Sequence, residues 1–277
     1  KPPNLMETEK ALRQALSLLE NRRFEEAEKL CRQILVENPR HADANYCLGD
    51  ILKQTNQLVT AKKFFKTALE VRPTETKFWI SFIESLINLD HLEPAEKVLK
   101  EGQKKGLPKQ VINHLASRID LEKKAIALKG ALASKPKNPE GQFNLGNIYN
   151  QLGKPQDAVK SYKQAIRANP KFTSAYFNLG FTLERIGELN LSIESYKQVI
   201  AIKPDYAEAH NNLGNVCNKL GDSDAAIKSY KKAVAIRPSF SEAYYNLART
   251  FQDKGDLANA INNCEKAPNT TCLISFK

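Results

Sequence analysis

Apolar residues along the chain fall repeatedly at helical spacing, in short stripes separated by glycine or proline. Between residues 139 and 172, Leu145, Ile148, Tyr149 and Leu152 form one stripe, and Ala158, Val159, Tyr162, Ala165 and Ile166 form a second. This periodicity predicts two amphipathic helices. Gly153 lies between them, where it can adopt the left-handed conformation that ends the first helix. Pro170 follows the second stripe and cannot continue a helix, because it lacks a backbone N–H. Gly146 and the alanines are small, which predicts a close approach of two helices at those positions.

The pattern is periodic. Leu145, Leu179, Leu213 and Leu247 are 34 residues apart, as are Gly153, Gly187, Gly221 and Gly255, and Pro136, Pro170, Pro204 and Pro238. A fixed period of this length marks stacked supersecondary units, none able to bury its apolar face alone. Weaker copies precede the strong ones. Residues 5–41 carry Leu12, Leu16, Leu19, Ala27, Leu30, Cys31, Ile34 and Leu35, with Asn21 expected at the turn. Residues 42–75 carry Leu48, Gly49, Leu52, Ala61, Phe65, Ala68 and Pro73, with Asn56 at the turn. Residues 76–109 keep Trp79, Phe82, Leu86, Ala95 and Leu99 but replace Leu-Gly by Phe82-Ile83, with Asp90 at the turn and Pro94 near a helix start. Residues 106–138 lose most of the pattern. There, Val111 to Ile119 predict one helix and Leu121 to Ala133 another.

The spaced residues Gln142, Leu145, Gly146, Tyr149, Ala158, Tyr162, Ala165 and Pro170 resemble the tetratricopeptide repeat (TPR) signature. That resemblance implies an all-α solenoid of about seven to eight antiparallel helix pairs wound as a right-handed superhelix. The expected organisation is an N-terminal array over 5–105, a degenerate repeat or connector over 106–138, a C-terminal array over 139–268 and a non-repeat tail over 269–277. Such an array stabilises itself through neighbouring units. The segment between the arrays, lacking the Leu-Gly and turn-glycine positions, is therefore expected to have the weakest interfaces.

Composition narrows the functional classes. Hydrophobic residues make up 42% of the 277 and charged residues 26%, as in a soluble repeat or globular protein. No apolar run is long enough to span a membrane. Cys31, Cys47, Cys217, Cys264 and Cys272 show no metal-ligand spacing, and they read as small buried hydrophobes in a reducing compartment, which points to the cytoplasm. The formal charge of +11 could serve nucleic acid. However, Lys160, Lys163, Lys228, Lys231 and Lys232 occupy solvent positions of helices interleaved with acids, which is the pattern of a solvated face. His41, His91, His114 and His210 fall in four different units, and His210 aligns with Gln142, Tyr176 and Tyr244, which suggests a packing role. No phosphate loop, nucleophile elbow or metal-binding helix motif is present. The expectation is a non-enzyme with no catalytic residue, no metal and no cofactor.

A surface remains. On the first helix of each strong repeat, a stripe beside the apolar one reads Glu140-Asn144-Asn147-Gln151, Ser174-Asn178-Phe181-Arg185, Glu208-Asn212-Asn215-Lys219 and Glu242-Asn246-Arg249-Asp253. Asn144, Asn178, Asn212 and Asn246 form a ladder, one per repeat. An asparagine offers a donor and an acceptor, so a row of them can pair with the backbone of an extended peptide. The bland alternative is that asparagine is merely tolerated before Leu-Gly. With the resemblance placing these helices along the concave groove, the candidate peptide-binding residues are Asn144, Asn147, Asn178, Arg185, Asn212, Asn215, Lys219, Asn246 and Arg249. In the N-terminal array the same stripe is Asp43-Cys47-Asp50-Gln54, without a ladder. The run from Lys203 to Asn215 resembles repeats of the O-linked N-acetylglucosamine transferase type. This resemblance implies, as the alternative, the substrate-recruiting arm of a larger glycosyltransferase. The expected partner is a protein or peptide, with no nucleic acid and no membrane. The sequence leaves the oligomeric state open.

Overall fold

A computed structural model describes residues 5–267; the non-repeat tail and Cys272 lie outside the described residues. Among the described residues the fold is all-α. Seven helix pairs are present, together with one long unpaired helix. The pairs are α1 (Leu5–Glu20) with α2 (Phe24–Glu37), α3 (Ala42–Gln54) with α4 (Leu58–Val71), and α5 (Thr76–Asn88) with α6 (Leu92–Lys104). After α7 (Lys109–Ser134) come α8 (Pro139–Gln151) with α9 (Pro155–Ala168), and α10 (Thr173–Arg185) with α11 (Leu189–Ile202). Next are α12 (Ala207–Lys219) with α13 (Ser223–Ile236), and α14 (Ser241–Asp253) with α15 (Leu257–Lys266). The chain divides into two compact units, one up to Lys124 and one from Ala125, and the boundary falls inside α7.

The turn within each pair is built the same way. In α8, the Lys154 N–H donates to the Tyr149 carbonyl at 2.8 Å and the Gly153 N–H to that of Asn150 at 3.1 Å, with Gly153 at φ +69°. This pairing of the last free carbonyls is what a left-handed residue after the helix makes possible. Asn56 and Asp90 occupy the same position with positive φ, as the sequence predicts. In the first pair the expectation of Asn21 is corrected: Arg22 takes the left-handed conformation, at φ +58°. Asn21 instead donates its side-chain amide to the Ser17 carbonyl at 2.8 Å. The 34-residue step back from Asn56 lands on Arg22, so register prevails over residue preference.

Small residues on first helices face large ones on second helices. A Cβ on Gly146 would lie 2.5 Å from the Tyr162 ring, and one on Gly214 would lie 2.5 Å from that of Tyr230. Gly49 under Phe65 and Gly180 under Tyr196 are similarly close. Where the glycine is replaced, the second helix shrinks in step. Ile83 stands with Leu99, and Ala15 with Cys31, at the equivalent positions one 34-residue step away; all four are buried. The loss of Leu-Gly in α5 is therefore a compensated exchange of volume. Pro94 is the third residue of α6, in the first turn, where its missing N–H costs nothing.

The linkers between pairs share another device. A polar side chain at the fourth position of the first helix reaches back to a proline carbonyl six residues earlier. Asn45 donates to Pro39 at 3.0 Å, Trp79 to Pro73 at 2.8 Å and His210 Nε2 to Pro204 at 3.0 Å. His210 thus has the packing role predicted for it. Cys31, Cys47 and Cys217 are free thiols in the core. A hydrogen bond with Cys47, then burial, holds the Cys31 thiol protonated.

Residues 109–134 correct a further expectation, because one 26-residue helix replaces the two predicted. Nothing between Ile119 and Leu121 breaks a helix. The buried positions Leu115, Ile119, Glu122, Ala125 and Leu132 continue one helical phase throughout. We propose that this segment is the weakest part of the array, since no partner helix follows it within a repeat. Limited proteolysis is expected to cut first between Lys104 and Lys137 and to leave a stable C-terminal fragment. A first cut inside residues 139–240 would contradict this.

Candidate functional site

The first helices of the second unit, α8, α10, α12 and α14, carry the asparagine stripe. Three tyrosines of the second helices reach it from beneath. Tyr162 and Tyr196 are fully buried and Tyr230 is 2% exposed. Burial pushes all three hydroxyls above the ordinary tyrosine range, so they stay protonated. The Tyr162 hydroxyl donates to Asn147 Oδ1 at 2.8 Å and accepts from Asn150 Nδ2 at 3.0 Å. Asn178 Nδ2, from the next repeat, donates to the same Asn147 oxygen at 2.8 Å. Two repeats further on the arrangement recurs. Tyr230 donates to Asn215 Oδ1 at 2.8 Å, and Asn246 Nδ2 donates to that oxygen and to Asn211 Oδ1, both at 3.1 Å. Between them, Asn212 Nδ2 donates to the Tyr196 hydroxyl at 3.3 Å.

These bonds fix which end of each amide points away from the core. Asn147 and Asn215 spend their oxygens internally and leave their NH2 groups without a partner among the described residues. Asn178, Asn212 and Asn246 spend their NH2 groups and leave their oxygens. The face therefore offers donors at one helical position and acceptors at another. Within the same helices, Thr182 and Thr250 donate to the backbone carbonyls of Asn178 and Asn246, four residues earlier, at 2.7 and 2.8 Å. Asn150 Oδ1 is buried with no partner. Asn144 is exposed and makes no such bond.

A TPR-repeat model matches residues 146–187, 185–221 and 214–255, and a second tetratricopeptide model matches 18–79, together more than half of the chain. The chain belongs to the tetratricopeptide repeat family. No curated protein matches it. Among solved structures, a crystal structure of MamA is 30% identical with a TM-score of 0.52, covering 55% of this chain and 88% of that one. A second MamA structure is 24% identical with a TM-score of 0.47, covering 69% and 88%. YrrB, described as a TPR protein with an unusual peptide-binding site, is 19% identical with a TM-score of 0.37, covering 77% and 95%.

Within this TPR face the other candidates divide. Arg185 is exposed and sits over the Phe181 ring at 5.9 Å. Arg249 is exposed with no ion pair among the described residues. Lys219 is already engaged, its ammonium 2.6 Å from Glu184. The ladder is not a uniformly open row: Asn178, Asn212 and Asn246 are half-buried and bonded inward, and only Asn144 is open. The reason is the tyrosine hydroxyl beneath, which needs a polar partner where it surfaces. Several network members were missed from sequence. Asn150, Thr182 and buried Asn211 belong to it; Asn211 stands where other first helices carry Phe143, Phe177 or Tyr46, and that polar exchange was its signal. Among the described residues, no group of three or more histidine, cysteine or acidic side chains could hold a metal. Among the described residues, no helix is long and apolar enough to cross a membrane.

Proposed function

We propose that this TPR protein is a non-enzymatic interaction scaffold that holds an extended peptide, or an extended segment of a partner protein, along α8, α10, α12 and α14. The observation that carries this reading is the fixed polarity of the asparagines. A peptide unit presents one N–H and one C=O, and the face supplies acceptors for the first and donors for the second. Pairing with the backbone tolerates varied side chains. Arg185, Phe181 and Arg249 supply the remaining preference, for a chain with apolar and acidic side chains. The partner is a protein rather than nucleic acid, because the stripe carries few cations and one of them, Lys219, is neutralised by Glu184. Should the chain prove to belong to a longer glycosyltransferase, the same face would recruit its substrates.

The test is selection of unstructured peptides from a displayed library on the wild-type chain, followed by binding to the triple variant Asn144→Ala, Arg185→Ala, Arg249→Ala. All three residues are exposed and none anchors the network, so the thermal melt is expected to stay unchanged. Binding is expected to weaken by roughly 0.5–1.5 kcal/mol per lost polar contact. Equal affinity of wild type and variant would place the peptide away from these three side chains, and failure to select any extended peptide would refute the assignment.

A further inference from the structure

We infer that the first unit carries a second, chemically different binding groove, which takes an acidic amphipathic helix of a partner protein. A cavity of about 640 Å³ opens between α4 and α6, and none of the first-helix stripe residues Asp43, Cys47, Asp50 and Gln54 lines it. Its walls are two matching helical stripes. Lys62, Lys66, Leu69 and Glu70 come from α4, with Lys63 beside them; Pro94, Val98, Glu101 and Lys105 are spaced by four, three and four along and just past α6. The floor is Trp79, Phe82 and Leu86 of α5, an apolar stripe at spacing three and four. Val59, 60% exposed, prolongs the α4 wall toward its start.

The chemistry selects the occupant. The rim holds four lysines against two glutamates. One glutamate, Glu70, is 3.6 Å from Lys66, while Lys63 and Lys105 have no ion pair among the described residues. The surplus is positive, so the ligand is acidic. Trp79, Phe82 and Leu86 close the groove from below as buried side chains, and Val59 and Val98 on the walls present the apolar surface, so the ligand has an apolar stripe. The backbone groups of α4, α5 and α6 are spent on their own helices, and no asparagine row replaces them as in the second unit. An extended peptide would find no partners there for its own N–H and C=O groups. A helix satisfies its own and needs only side-chain contact, the helix-in-groove mode of recognition. From Val59 to Glu70 the wall rises roughly 16 Å, which is about three turns of a bound helix.

Trp79 is the only tryptophan in the chain, so its emission reports on this groove alone. The experiment pans a displayed library of helical peptides, with randomised apolar and charged positions, on the full chain. Selected peptides are then titrated while Trp79 emission is followed. The expected result is enrichment of an apolar stripe at helical spacing flanked by Glu or Asp, with a saturable change in emission. The double variant Lys63→Glu, Lys105→Glu changes two exposed residues and is expected to fold normally while weakening binding about tenfold or more. Asn144→Ala in the other unit is expected to leave this titration unchanged. Selected peptides without helical periodicity, no change in Trp79 emission, or equal binding by the charge-reversed variant would overturn the proposal. A response to oleate micelles but to no selected peptide would also overturn it.

Discussion

Tyr162→Ala is expected to destabilise the second unit by about 3–5 kcal/mol, the usual cost of deleting a fully buried aromatic side chain. The ring fills the space above Gly146 and packs against Phe143, with centroids 5.9 Å apart. Its hydroxyl also serves Asn147 and Asn150, so deletion strands polar groups as well as opening a cavity. Against a total stability of roughly 5–15 kcal/mol for a domain, such a loss unfolds much of the array. Tyr162→Phe keeps the ring and isolates the hydroxyl, at an expected cost of about 1–3 kcal/mol. Gly146→Ala adds a Cβ 2.5 Å from a ring that is fully buried and cannot swing away. The overpacking, about 1–3 kcal/mol, then outweighs or cancels the gain of about 1 kcal/mol in helix propensity. Combined with Tyr162→Leu, the alanine is expected to be better tolerated than the sum of the two single costs predicts. Ile83 with Leu99 and Ala15 with Cys31 already show this exchange within the chain. Denaturant unfolding of the four proteins in a double-mutant cycle measures it. Strict additivity would mean that glycine and tyrosine are not a matched pair.

How far the sequence disclosed these features depends on the range of the interaction. Helices, turns and the 34-residue register depend on residues a few positions apart, so periodicity revealed them, including the compensated Phe82-Ile83 departure as an apolar position kept apolar. Asn21 misled because residue preference was read locally, when counting from Asn56 points to Arg22. The helix over 109–134 was hidden because loss of the repeat signature looked like a break, although the apolar phase never shifts there. The asparagines were visible as a stripe, but their orientation was not. That orientation depends on Tyr162 and Tyr230 in the following helix and on Asn178 and Asn246 one repeat away, contacts 15 to 31 residues apart in sequence. Only side-chain placement across the helix pair discloses which atom of an amide is spent.

That orientation permits a test in which folding and binding separate. In Asn147→Asp and Asn215→Asp, the carboxylate oxygen that replaces Oδ1 still accepts from tyrosine and from the asparagine of the next repeat. The network that supports the helix pair therefore survives, and the melting temperature is expected to shift by only a few degrees. What changes is the outward group: an NH2 donor becomes a carboxylate oxygen, which repels a peptide carbonyl instead of binding it. Each site then loses a hydrogen bond and faces an unmatched acceptor, a penalty of about 1–3 kcal/mol. The double variant is expected to bind selected extended peptides about 2–6 kcal/mol more weakly, which titration calorimetry resolves. The conventional alanine substitutions confuse the two effects, because Asn147→Ala also strips Tyr162 and Asn178 of their acceptor. If the aspartate variants fold and still bind with wild-type affinity, the outward NH2 groups are not donors to a ligand, and the tyrosine–asparagine network serves the fold alone.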